Sequence, residues 1–170
     1  NAHAFSQGWV WIDNGSFVAS EPDGASLWYP VNDHPSDKAT YRIEVTVAQP
    51  YTVVANGILQ DTITEADARR TFIWQSNDLM ASYLLTVNIG EFVRDDAGDV
   101  NGVLLRNYFP SSQVNEGLTM FTVQSEMMML FNDYFGKYPF EAYGAVVIDT
   151  ELPFALETQT MSLFGTNILE

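Results

Sequence analysis

Hydrophobic and polar positions alternate over the first two-thirds of the chain and then fall into a longer period. Thr40 to Gln49 alternates strictly, with Tyr41, Ile43, Val45 and Val47 on one side and Arg42, Glu44 and Thr46 on the other. That period predicts an antiparallel strand with one buried face. Gly8 to Asp13 and Ser16 to Ser20 flank Asn14-Gly15, a strong hairpin signal. Thr52 to Ala55 and Ile58 to Thr62 flank a second Asn-Gly pair, Asn56-Gly57. Thr71 to Gln75 and Tyr83 to Ile89 are rich in aromatic and β-branched residues. Glu91 to Arg94 and Val103 to Phe109 flank a polar turn, Asp95 to Gly102. Strands at this spacing predict a sandwich or a strongly twisted sheet.

The period changes near Pro110. From Val114 to Phe135, Leu118, Phe121, Met128, Phe131 and Phe135 recur at helical steps. Gly136 stands where a helix-ending glycine belongs, and Pro139 follows. Tyr143 to Ile148 reads as a buried strand, and Ala155 to Phe164 as a further extended segment. The fold class expected is α+β and mainly β, with a domain boundary near residue 108.

Composition narrows the function. Lys and Arg number 7 against 22 Asp and Glu, giving a net charge of −15 over 170 residues. A deficit of that size argues against a nucleic-acid partner, whose phosphates require a basic face. It also argues against anionic membrane surfaces, and it suits a cationic ligand. No apolar run approaches the ~18 residues of a membrane span. With no cysteine, a thiol nucleophile and Cys-bound zinc are excluded. Compartment stays open between cytoplasmic and secreted, and so does oligomeric state. Asn1-Ala2 reads as the remnant of a cleaved tag, and both ends read as cut.

Few residues carry evident chemistry. Two histidines, His3 and His34, cannot supply the His-Glu-x-x-His pattern of a zinc site, and both read as surface or turn residues. Asp95, Asp96, Asp99 and Asn101 crowd together, but without the spacing of a calcium loop they read as a solvated turn. Met127-Met128-Met129 reads as core packing with one member at the surface. Glu157, in P-F-A-L-E-T-Q-T, is an acid in an apolar and neutral stretch, and composition makes it an exposed strand residue. Glu21, in S-E-P-D-G, reads as a turn acid.

Taken in order, these segments resemble the zinc aminopeptidases of the aminopeptidase N (membrane alanyl aminopeptidase) type, gluzincin metallopeptidases. That family's β-domain carries a stretch like F-P-C-x-D-E-P-x-x-K-A-x-F-x-I; Tyr29 to Ile43 reads Y-P-V-N-D-H-P-S-D-K-A-T-Y-R-I. Pro30, Asp33, Pro35, Lys38, Ala39 and Ile43 match, and Val31 and His34 depart. V-V-A-N-G follows at Val53 to Gly57, and a Y-F-G-x-x-Y-P signature at Tyr134 to Pro139. The family's G-x-M-E-N exopeptidase motif aligns with Phe154-Ala155-Leu156-Glu157-Thr158, of which the Glu and the small residue two places before it are kept.

The resemblance implies an internal fragment. Residues 1–108 would be the back part of an antiparallel, saddle-like N-terminal β-domain. Residues 109–170 would be the first helix and strands of a thermolysin-like catalytic domain, ahead of the zinc-binding helix. It implies peptide substrates with a free N-terminus. Glu157 would be the anchor for the substrate α-amine, the backbone of Ala155 and Leu156 would lie along the substrate, and Glu21 would be a second acid facing the first substrate residue. An ammonium–carboxylate pair ~4 Å apart at an effective dielectric of ~20 is worth about 4 kcal/mol before desolvation costs. Zinc and its general base would come from elsewhere in the parent. The fragment itself would hold no catalytic residue, bind no metal and be inactive alone. The competing expectation is a non-catalytic β-sandwich binding or scaffold module, with Trp9, Trp11, Trp28 and Trp74 as an aromatic platform.

Overall fold

The computed structural model describes residues 7–170, so His3 lies outside the described residues. The chain forms two compact units, dividing between Gly90 and Glu91.

The first unit holds seven strands: β1 (Gly8–Ile12), β2 (Gly15–Ala19), β3 (Ala39–Val47), β4 (Thr52–Ala55), β5 (Ile58–Thr64), β6 (Arg70–Met80) and β7 (Val87–Gly90). They make two antiparallel sheets, ordered β1-β2-β7-β4 and β3-β6-β5. The alternation read in β3 is present, with Tyr41, Ile43, Val45 and Val47 less exposed than Arg42, Glu44 and Thr46. Trp74 of β6 is fully buried and donates Nε1–H to the Val53 carbonyl of β4 at 3.1 Å, joining the two sheets. Burying such an aromatic side chain contributes roughly 1.5–3 kcal/mol.

Asn56-Gly57 does not close a hairpin. β4 pairs with β7 and β5 with β6, so this turn passes the chain from one sheet to the other. Gly57 has φ +81, and a Cβ there would run into the Gln75 carbonyl. Asn56 is buried, accepts from the Thr86 N–H at 2.7 Å and donates to the Leu84 carbonyl at 3.1 Å. The strand expected from Tyr83 to Ile89 shortens to β7, because Ser82–Leu84 is a 3-10 turn.

The second unit contains β8 (Phe92–Val100), β9 (Val103–Pro110), α1 (Val114–Met120), α2 (Gln124–Phe135), β10 (Ala142–Ile148), β11 (Leu156–Thr158) and β12 (Met161–Gly165). Its five-stranded sheet runs β11-β12-β10-β9-β8. β9, β10 and β12 are parallel, and β8 and β11 are antiparallel edges. The β8–β9 hairpin therefore builds with the later elements, although the change of sequence period comes near residue 108.

Three sequence expectations need correction. Asp95, Asp96 and Asp99 belong to strand β8, and the turn is Asn101-Gly102 alone. Asp96 pairs with Arg94, Asp95 accepts from Asn107, and Asp99 accepts from the Gly102 N–H. The single helix expected over Val114 to Phe135 is broken by a 3-10 turn at Phe121–Val123. Of the methionine triplet only Met128 is buried, with Val100, Val103 and Leu105; Met127 and Met129 are exposed, as are Leu118, Phe131 and Phe135. The helix does end where expected: Gly136 has φ +87 and donates to the Asn132 carbonyl at 3.0 Å.

Candidate functional site

The sheet of the second unit leaves β11 as an edge strand, three residues long. Its side chains alternate: Leu156 and Thr158 are buried, and Glu157 is exposed. Ala155, just before it, is also exposed. Leu156 is fixed by packing, and its partner across the ladder is Leu163 of β12. That anchorage turns Glu157 outward on an edge whose outer backbone side has no strand beside it among the described residues. Such an edge can pair with an extended peptide.

β11 returns into β12 through Gln159-Thr160. The Thr158 hydroxyl donates to the Met161 carbonyl across this turn. Thr160 is buried and has φ +69, the left-handed region that β-branched residues avoid. Its carbonyl accepts a hydrogen bond from Arg106 Nη1 at 3.2 Å, and its backbone also bonds to the Tyr138 hydroxyl. Burial pushes the Arg106 guanidinium down to about 10 and the Tyr138 phenol up to about 12. Opposite Glu157 stands Ser162, whose Oγ lies 3.3 Å from Tyr143 Oη.

Glu21 lies in the first unit, exposed, in the loop after β2; its carbonyl accepts from Gln7 Nε2 at 2.8 Å. Nearby in the chain, Asp33 ties that unit's loops together. Its carboxylate accepts from the Ser26 N–H and the Ser82 hydroxyl, each at 3.0 Å. Partial burial pushes the Asp33 carboxyl up, but these hydrogen bonds outweigh it and hold the group below its usual value. His34 sits exposed in its turn beside Ser36.

Among the described residues no three His, Asp or Glu side chains come together as a metal site. The aromatic platform also shrinks, since Trp74 is core; Trp9 stacks near Trp11 and Trp28 at 6.0 and 5.8 Å, and only Trp11 is strongly exposed. A groove of about 640 Å³ lies along α2, walled by Met127, Phe131, Phe135 and Tyr138. Its walls include no carboxylate or histidine, so it offers no acid–base or metal chemistry.

Arg106 and Tyr138 were not legible as parts of a site. Arg106 reads as one polar residue in V-L-L-R-N-Y-F, and only its burial reveals a role.

The chain is similar to known proteins. Residues 16–84 match the Peptidase M1 N-terminal domain. A probable M1 family aminopeptidase 1 of Encephalitozoon cuniculi is 30% identical over 131 residues, which is 76% of this chain and 15% of the relative. The crystal structure of an M1 zinc metallopeptidase from Deinococcus radiodurans superposes with TM-score 0.82 at 29% identity, covering 95% of this chain and 38% of that one. A mutant of that metallopeptidase bound to a Tyr-Ser-Ala substrate gives TM-score 0.81 at 29% identity, over 94% of this chain and 38% of the other. The chain thus spans well under half the length of these relatives.

Proposed function

We propose, from the premise that this chain belongs to the M1 family of zinc aminopeptidases, that it is the part of such an enzyme that holds the substrate's free N-terminus. The whole protein removes N-terminal residues from peptides. Residues 1–108 belong to its N-terminal β-domain, and residues 109–170 open its catalytic domain, into whose sheet the β8–β9 hairpin pairs through β10. Glu157 anchors the α-ammonium, the backbone at Ala155 and Leu156 runs beside the substrate, and Glu21 is a second acid toward the first substrate residue.

One observation carries this reading: Glu157 is the exposed acid of an edge strand whose flanking side chains are buried. A carboxylate held that way offers a fixed counter-charge at the end of an extended peptide. The rule it enforces is chemical. A free ammonium pairs with it, whereas an internal peptide nitrogen is uncharged and leaves the carboxylate unpaired. The net charge of −15 favours approach of such cationic ends.

Zinc would be held by other residues of the whole protein and would supply the Lewis acid for the scissile carbonyl. The part proposed for the described residues is to bind and orient the peptide. The 170 residues alone are expected to hydrolyse no aminoacyl substrate even with zinc added.

The test is Glu157→Gln in the full-length protein, assayed on an alanyl anilide. A fall in kcat/KM of ~100-fold, about 2.7 kcal/mol of transition-state binding, is expected. Competition by free amino acids should weaken in parallel. Unchanged kinetics and unchanged competition would remove Glu157 from the role.

A further inference from the structure

We propose that Arg106 and Tyr138 are positioning residues that hold the Gln159-Thr160 turn, and through it set the angle at which Glu157 meets an amine. This rests on the reading of Glu157 as the amine anchor.

Three observations converge on Thr160. The residue stands at φ +69 although it is β-branched, so its conformation is imposed from outside. Its carbonyl is held by a buried guanidinium at 3.2 Å. Its backbone is also held by the hydroxyl of Tyr138, a residue of the segment following α2. The turn is thereby gripped from two separate parts of the chain, three residues from Glu157.

The route by which Arg106 arrives is also specific. It lies on β9, and β10 and β12 stand between β9 and β11 in the sheet. Its neighbour on β10 is Gly144. A Cβ at Gly144 would lie 3.4 Å from Arg106 Cγ and would run into the Arg106 carbonyl. The missing side chain leaves Arg106 its space.

A guanidinium is costly to bury. Its use here, where an Asn-Gly turn would close the same hairpin from local sequence alone, ties the turn to the sheet interior. Freed of that tie, the turn would relax toward ordinary φ, and β11 would re-aim at its free edge.

The test uses the full-length protein and four variants: Tyr138→Phe, Arg106→Lys, Arg106→Met and Glu157→Gln. Tyr138→Phe keeps the ring packing against Tyr143 and Phe140 and removes only the hydroxyl. Positioning predicts that KM for an alanyl anilide rises ~3- to 10-fold with kcat little changed. Inhibition by free alanine should weaken by the same factor, and inhibition by N-acetylalanine should not change. Arg106→Lys, which keeps a donor, should lose less than Arg106→Met. A Tyr138→Phe variant that weakens both inhibitors equally, or neither, overturns the proposal. Glu157→Gln is the control that separates the two readings. If it leaves discrimination between alanine and N-acetylalanine intact, the anchor itself is wrong; if it abolishes discrimination while Tyr138→Phe does not touch it, only the positioning role falls.

Discussion

Two hairpins at opposite edges of the second sheet each turn in two residues, and different forces hold them. β8 and β9 close through Asn101-Gly102, at φ +55 and +80. These residue types enter the left-handed region at little cost. The Asp99 carboxylate accepts from the Gly102 N–H at 2.8 Å, so the turn is satisfied by its own neighbours. β11 and β12 close through Gln159-Thr160, whose residues favour no such turn. There the conformation is held by Arg106 and Tyr138, distant in sequence. The first hairpin is a local structure that would form in many contexts. The second exists only inside this sheet, and it carries the acid assigned to the substrate.

Substitutions at three positions should separate the hairpins. The largest effect is expected from Gly144→Ala, whose Cβ meets the Arg106 carbonyl of the adjacent strand. Two backbones would have to part, at a cost of roughly 3 kcal/mol or more. Chemical denaturation should show it, with loss of protection in amide exchange at Thr160. Stability within ~1 kcal/mol of the parent would mean that β9 and β10 have slack the packing does not suggest. Next comes Asn101→Thr, which installs at the β8–β9 turn the same kind of misfit that Thr160 presents. With no Arg106 to impose the conformation, it should cost about 1–2 kcal/mol and leave amine recognition unaffected. The smallest effect is expected from Asp96→Asn. Its ion pair with Arg94 is exposed, so the change in unfolding free energy should be below ~0.5 kcal/mol.

The contrast also explains what the sequence could disclose. The alternation of Tyr41, Ile43, Val45 and Val47 names β3, since a strand's two faces are written in its own residues. Gly136 marks the end of α2 for an equally local reason. The run Tyr143 to Ile148 announces a buried strand. Pairing is not local: Asn56-Gly57 looked like a hairpin turn, yet its flanking strands enter different sheets. The aspartates of β8 looked like a turn because charge is common in loops, whereas this edge strand exposes Asp96 and Asp99 and satisfies half-buried Asp95 with Asn107. The apolar period of α2 promised burial, but Phe131 and Phe135 are exposed among the described residues. Glu157 came into view through an ordered set of motif matches, because its own surroundings in sequence are plain. Arg106 and Tyr138 had no comparable signal, since their role is created by the fold.

The span between Arg106 and Thr160 carries a consequence for how the chain matures. Their hydrogen bond closes 54 residues of polypeptide. Contacts of that separation form after local turns and helices, because the entropy of closing the long loop must be met first. The β8–β9 hairpin can fold early on its own residues. The Thr160 turn must wait until β9, β10 and β12 lie side by side. On the proposed role of Glu157, a nascent or partly folded chain presents that acid unaimed, and its aim is set only once the sheet is complete.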